Sequence, residues 1–288
     1  MKKKKLKISD RLKPDIYYCL ETSTQIKRLF GHSKHKELIS ELLKGKKVYT
    51  SFFVFREFKQ SVMLPLVDFY FVLVEENNFF DAVSVYLDKT RSIRDTKGFG
   101  QHITQMLLEL QVRDDLKNDK NKALIEVKKI ILSLYCTFES FIKNNLIENI
   151  SGFNNTKVKL GISDQDFNNF KEQIVCNKNC GQEKFWGKHK DVLETLIKQE
   201  NIDKFKSNNG YIKIVSVLKE VNSDFSRADM VTKCNSLGDA IISIECPKNF
   251  RLVSLDKSFI AFCEILQKKY LIIPSIQALK KGDLITKN

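Results

Sequence analysis

Four acidic residues stand where an acid is costly or well placed for chemistry: Glu21 in "IYYCLETS", Glu57 in "SFFVFREF", Asp239 in "SLGDAIISIECP" and Asp256 in "RLVSLDKSF". Glu21 and Asp256 follow runs of β-favouring apolar residues, so each falls at the carboxyl end of an expected strand, where open parallel sheets gather functional groups. Asp239 sits beside Ile241 and Ile242 on an expected helix, a setting in which an unpaired carboxylate is expensive. Glu57 lies about two turns into the helix expected after the second strand. Carboxylates sharing one cleft raise one another's pKa unless a cation holds them ionised. An all-oxygen ligand set without paired His or Cys suits Mg²⁺ or Mn²⁺ better than zinc. Such an ion lowers the pKa of a bound water, orients it toward a phosphodiester and offsets charge developing on phosphorus. Each acid has a plainer role too. Glu21 and Asp256 can cap helices, and Glu57, close to Arg56 and Lys59, can be a solvated helix charge.

The elements that must position these acids come from the two ends of the chain. "IYYCL" reads as a strand, "KHKELISELLKG" as a helix stopped at Gly45, "KVYTS" as a second strand and "SFFVFREFKQSV" as a helix. This alternation specifies a parallel α/β unit. Near the other end "SRADMVTKCNSLGDAIISIECP" reads as helix, "RLVS" as strand, "DKSFIAFCEILQKK" as helix from an acidic first turn, and "YLIIP" as the final strand. Neither part has enough strands alone, so they are expected to form one domain, 15–62 with 222–288. The stretch between them, 63–221, has helical periodicity and few strand signals, and is expected to be a helical insertion with breaks at 95–100, 151–157 and 206–210. The aromatic run "DFYFVLVEENNFF" within it fits core packing better than base stacking.

"LETS", "VYTSFFVFREF", "LGDAII" and "LVSLDKSF" together resemble the acidic signatures of PIN-domain nucleases. The resemblance covers residues 15–62 and 227–275. It implies a PIN-like parallel sheet flanked by helices and hydrolysis of phosphodiesters, usually of RNA, dependent on Mg²⁺ or Mn²⁺. It also implies metal-binding and catalytic roles for Glu21, Glu57, Asp239 and Asp256, with Ser23 and Ser254 as polar neighbours. The family's usual residue at the first position is Asp, where this chain has Glu21. That longer side chain leaves open a catalytically inactive PIN-like scaffold for RNA or protein, and a structure-specific DNA nuclease is the other alternative.

The chain has 288 residues, 42% hydrophobic, enough for a sizeable core, and a net charge of +14. That charge raises the local concentration of polyanions. The expected partner is accordingly RNA, with DNA as the alternative, and a second copy or a regulatory protein as further partners. Only eight of the 49 basic residues are Arg, so point-charge contact with phosphates, as from Lys59 and Lys257, suits the composition better than base reading. The Lys-rich start is followed by no apolar stretch of signal type, and no run reaches membrane-spanning length, so a cytoplasmic protein without membrane contact is expected. The seven cysteines are an odd number in mainly apolar contexts, which favours reduced thiols. Cys176, Cys180 and His189 have spacing compatible with three zinc ligands and no evident fourth. No phosphate-cradling Gly-rich loop is present.

If the helical middle positions nucleic acid, reversing the charges of Lys117, Lys120, Lys122, Lys128 and Lys129 weakens RNA binding and flattens its salt dependence by roughly one unit of slope per lost phosphate contact. Binding isotherms at several salt concentrations measure this, and an unchanged slope removes these lysines from the interface.

Overall fold

The computed structural model describes residues 17–31, 33–91, 107, 110, 113–117, 119–145, 170, 181–273, 275 and 284–287. Among them the chain runs β1 (Tyr17–Leu20), α1 (Thr22–Phe30), α2 (Ser33–Leu43), β2 (Val48–Thr50), α3 (Phe52–Phe58), a π-helical turn (Lys59–Met63), α4 (Leu64–Glu75), α5 (Phe79–Arg91), α6 (Asp114–Lys117) and α7 (Lys120–Asn145). It continues with α8 (Gln182–Lys188), α9 (Lys190–Leu196), α10 (Gln199–Lys204), α11 (Asn209–Ser223), a 3₁₀ turn (Phe225–Asp229), α12 (Val231–Ser236), α13 (Gly238–Glu245), β3 (Phe250–Ser254), α14 (Ser258–Ile265), β4 (Lys269–Ile272) and β5 (Ile285–Lys287).

The five strands form one sheet in the order β2-β1-β3-β4-β5. All neighbours are parallel except β4 and β5, which run antiparallel. The α/β class expected from the alternating pattern is therefore present, as a mostly parallel sheet flanked by helices. Tyr18, Cys19, Leu20, Leu252, Val253, Leu271 and Ile272 are buried, as befits strands covered on both faces. At the amino end of the sheet the rings of Tyr17, Tyr49 and Phe250 lie 5.0 to 5.8 Å from one another, a cross-strand cluster linking β2, β1 and β3. From β1 the chain moves to one side, forming β2, and from β3 to the other, forming β4. The order thus reverses between β1 and β3, and the crevice of such sheets opens at the carboxyl ends of the two strands flanking that point.

Three details differ from the sequence expectations. "YLIIP" is not the last strand, because β5 adds an antiparallel edge at 285–287; three largely exposed residues carry too little apolar pattern to announce it. The segment 226–247 is not one helix: Asp224 caps the 3₁₀ turn through the Ser226 N–H at 3.0 Å, and Met230 is extended, so the chain restarts as α12 and then α13. The helix read from Asp256 spans only Ser258–Ile265, after which Gln267 adopts a positive φ of 54°.

The chain divides into two compact units, one comprising Met1–Phe55, Ile142–Asn155 and Asn177–Asn288, the other Arg56–Phe141 and Thr156–Cys176. The helices from α8 onward thus group with the sheet. They bury Phe185, Trp186, Leu193, Leu196, Tyr211 and Leu218, and the Tyr211 ring meets Phe262 of α14 at 5.4 Å.

The other unit has its own aromatic core. Phe58 and Phe138 stack at 3.8 Å, and Phe69 makes edge contacts with Phe79 and Tyr86. The apolar positions of "DFYFVLVEENNFF" that are buried, Phe69, Val72, Leu73 and Phe79, serve packing there. Lys59, expected to contact phosphates, is only 8% exposed. Its ammonium lies 5.9 Å from the centre of the Tyr135 ring, and burial lowers its pKa to about 8 against the opposing pull of Glu139. Lys59 opens the π-helical turn and is a core residue.

A second buried lysine locks the sheet unit. Lys268, just before β4, donates from Nζ to the carbonyls of Ser243, Ile244 (2.8 Å) and Cys246, satisfying the carboxyl-terminal turn of α13 where a helix leaves its carbonyls unpaired and its dipole negative. Burial lowers the Lys268 pKa. Lys268→Met keeps an unbranched apolar stem one atom shorter and removes the donors, and should lower the unfolding free energy by about 2–4 kcal/mol. Urea denaturation at pH 7 measures it, and a loss below about 0.5 kcal/mol would show that water replaces the ammonium without cost.

Candidate functional site at the carboxyl edge of the sheet

Glu21 leaves β1 in an extended conformation and is the N-cap of α1. Its Oε2 accepts from Ser23 N at 2.6 Å, and its Oε1 accepts from Thr24 N at 2.8 Å and Thr24 Oγ1 at 2.7 Å. A further donor reaches Oε1 from the neighbouring crossover, Leu255 N at 3.2 Å. Burial raises the Glu21 pKa while these four hydrogen bonds pull it down. Glu21 therefore fills the capping role open to it in the sequence and also ties the start of α1 to the end of β3.

Asp256 lies in the turn between β3 and α14. Its N–H donates to Ser254 Oγ at 2.8 Å, and its Oδ1 accepts from Ser258 N at 2.7 Å, capping the first turn of α14. Its side chain is exposed, as is that of its neighbour Lys257. Asp239, in the first turn of α13, is half-buried and accepts at Oδ2 from Ser258 Oγ at 2.6 Å. Ser258 thus contacts two acids at once, Asp256 through its backbone and Asp239 through its hydroxyl.

Asp239 feels the other two carboxylates. The Asp239 pKa is pushed up to about 7, first by burial and then by the charges of Asp256 and Glu21, while the Ser258 hydroxyl opposes the shift. Glu57 lies on α3, half-buried, and its residue number falls within the second compact unit. The structure brings together Glu21, Asp239 and Asp256 of the four acids. Of the two serines, Ser254 shapes the Asp256 turn, and Ser23 contributes its backbone N–H to Glu21.

Two residues passed over in the sequence have evident parts. Ser258 is one; its signal is a Ser two residues after an Asp at the head of an apolar helix. The other is Glu245, buried at the end of α13 and hydrogen-bonded by the Ser51 hydroxyl just beyond β2. The reasoning applied to Asp239, that an acid in an apolar run needs a partner, applies equally to Glu245 in "IISIEC".

Among the described residues no three of His, Cys, Asp and Glu are grouped so as to hold a metal ion. The donor chemistry nonetheless fits a hard cation. Asp239 Oδ1 and Asp256 Oδ2 receive no hydrogen bond from the described residues, and Glu21 Oε2 receives one. Glu21 Oε1, with three donors, is already engaged. Of the zinc-spaced trio, Cys176 and Cys180 lie outside the described residues, and His189 follows α8 with its ring 4.5 Å from that of Phe185. Among the described residues no helix is long and apolar enough to cross a membrane.

The raised pKa of Asp239 has a definite sign. Between its ordinary value of 3.8 and about 7 the folded protein binds the proton that the unfolded chain releases, so stability falls as pH rises through that window, by at most about 1.4 kcal/mol per pH unit. Asp239→Asn should match wild type near pH 4, exceed it in stability at pH 8 and lose this slope. Thermal melts across pH 4–8 without divalent ions measure the effect, and parallel curves for the two proteins would mean that Asp239 ionises normally.

Compared with protein-family models, curated proteins and solved structures, the chain matches none of them.

Proposed function

We propose that this protein is a Mg²⁺- or Mn²⁺-dependent nuclease of PIN-like type that hydrolyses RNA phosphodiesters. The observation that carries the reading is the gathering of Glu21, Asp239 and Asp256 at the carboxyl edge of a parallel sheet, where the strand order reverses. Three carboxylates close enough to raise a pKa there are destabilising unless a cation or a proton compensates them.

Asp239 and Asp256 would hold the ion through their open oxygens, with Glu21 Oε2 adjoining. When bound, a divalent ion supplies Lewis acidity to a phosphate and to water. The chain's own residues do the rest. Ser258 orients Asp239 and Asp256, the four donors on Glu21 fix its carboxylate, and exposed Lys257 supplies positive charge for the backbone of a nucleic acid. The net charge of +14 favours such a polyanionic substrate.

One observation favours a second reading. Glu21 Oε1 is saturated by its three donors, as in a structural cap, which suits a catalytically silent scaffold of the same type that binds RNA or a protein.

Titrating Mn²⁺ against mixed RNA with wild type and Asp239→Asn separates the two. The nuclease reading expects metal-dependent cleavage that falls at least about a hundredfold in the variant. Equal cleavage by both proteins rejects it, and RNA binding without cleavage by wild type selects the scaffold. A parallel DNA substrate decides between the nucleic acids.

A further inference from the structure

We propose that Asn208 and Gly210, at the start of α11, are positioning residues for the acidic cluster, acting through Ser258; for its bearing on metal binding this rests on the nuclease reading above. The start of α11 presses directly on the turn that carries Asp256. A Cβ placed on Gly210 would stand 2.7 Å from the Cβ of Ser258, closer than two non-bonded carbons approach. The φ of Gly210 is not in the positive region, so what requires glycine here is close approach and not conformation. Asn208 completes the contact: its Oδ1 accepts from Tyr211 N at 3.1 Å, capping α11, while its Nδ2 donates to Lys257 O at 3.1 Å. The residue on either side of the Ser258 amide bond is therefore held from α11, Lys257 by a hydrogen bond and Ser258 by steric contact.

Ser258 in turn holds Asp256 with its N–H and Asp239 with its hydroxyl. A displacement of a few tenths of an ångström at Ser258 lengthens both bonds together, because the backbone and the side chain of one residue serve the two acids. The separation of Asp239 and Asp256 is thus set by how closely α11 approaches α14, and glycine at position 210 is what permits that approach.

Native-state amide hydrogen exchange reads the positioning without metal. Gly210→Ala should speed exchange of the Ser258 amide by about tenfold or more while the Leu252 and Val253 amides, inside β3, keep their rates. Asn209→Ala, an exposed neighbour on the same turn, should leave Ser258 within about twofold. Since Gly→Ala within a helix ordinarily stabilises, a lower melting temperature for Gly210→Ala would have the sign of a steric overlap. Should Gly210→Ala not fold, Asn208→Ala, which introduces no overlap and removes the bond to Lys257 O, is expected to speed Ser258 exchange in the same selective way.

Mn²⁺ affinity, measured by paramagnetic resonance of the free ion, should fall about tenfold in whichever variant folds. If wild type binds no Mn²⁺ but the Ser258 amide responds, the metal reading fails and the positioning stands. An unchanged Ser258 amide in the folded variant overturns the positioning, whatever the metal does.

Discussion

The parallel pairing of β1 with β3 is the constraint on which the rest of the site depends. Leu20 lies opposite Val253, and the ladder is carried one residue further by the bond from Glu21 N to Val253 O at 3.1 Å. That register sets two outgoing loops side by side, and Leu255 N closes the gap by donating to Glu21. A slip of one residue would exchange the two faces of a strand buried on both. It would also carry Glu21 out of reach of the Leu255 amide.

Capping a helix and clustering with other acids are not competing roles at this edge. Helices that start where parallel strands end present unpaired N–H groups toward the same crevice, and carboxylates there are stabilised by those donors. Glu21 and Asp256 each take backbone N–H groups in this way. Asp239 takes none among the described residues and relies on one hydroxyl. Asp239 is also more buried than Asp256, and burial, opposed only by that hydroxyl, is the main cause that raises its proton affinity to about 7.

Much of the sheet was legible because its strands are short apolar runs ending in polar residues, and "IYYCL", "KVYTS" and "RLVS" need no tertiary information to be read. The acids at their ends followed from the same pattern. What escaped were features set by contacts distant in sequence. Lys59 is buried at the start of a π-helical segment that no spacing rule announces. Gly210 reads as an ordinary turn residue until Ser258, 48 positions later in the chain, is seen against it. Which unit the helices of the middle join was illegible for a related reason: the helical periodicity of a segment does not say which core it covers.

The distance along the chain between the two halves of the sheet has a consequence in time. Tyr17 pairs with Phe250, so β1 and β2 leave the ribosome long before the strand that must lie between β1 and β4. At about 5–20 residues per second, that interval lasts roughly ten to fifty seconds. Throughout it one edge of β1 has its hydrogen-bonding groups unpaired, and so non-local a closure is intrinsically slow. For the nascent protein, the side of β1 that β3 will cover, and whose end carries Glu21, is first a surface at risk of pairing with another chain. The site comes into being only when β3 removes that hazard.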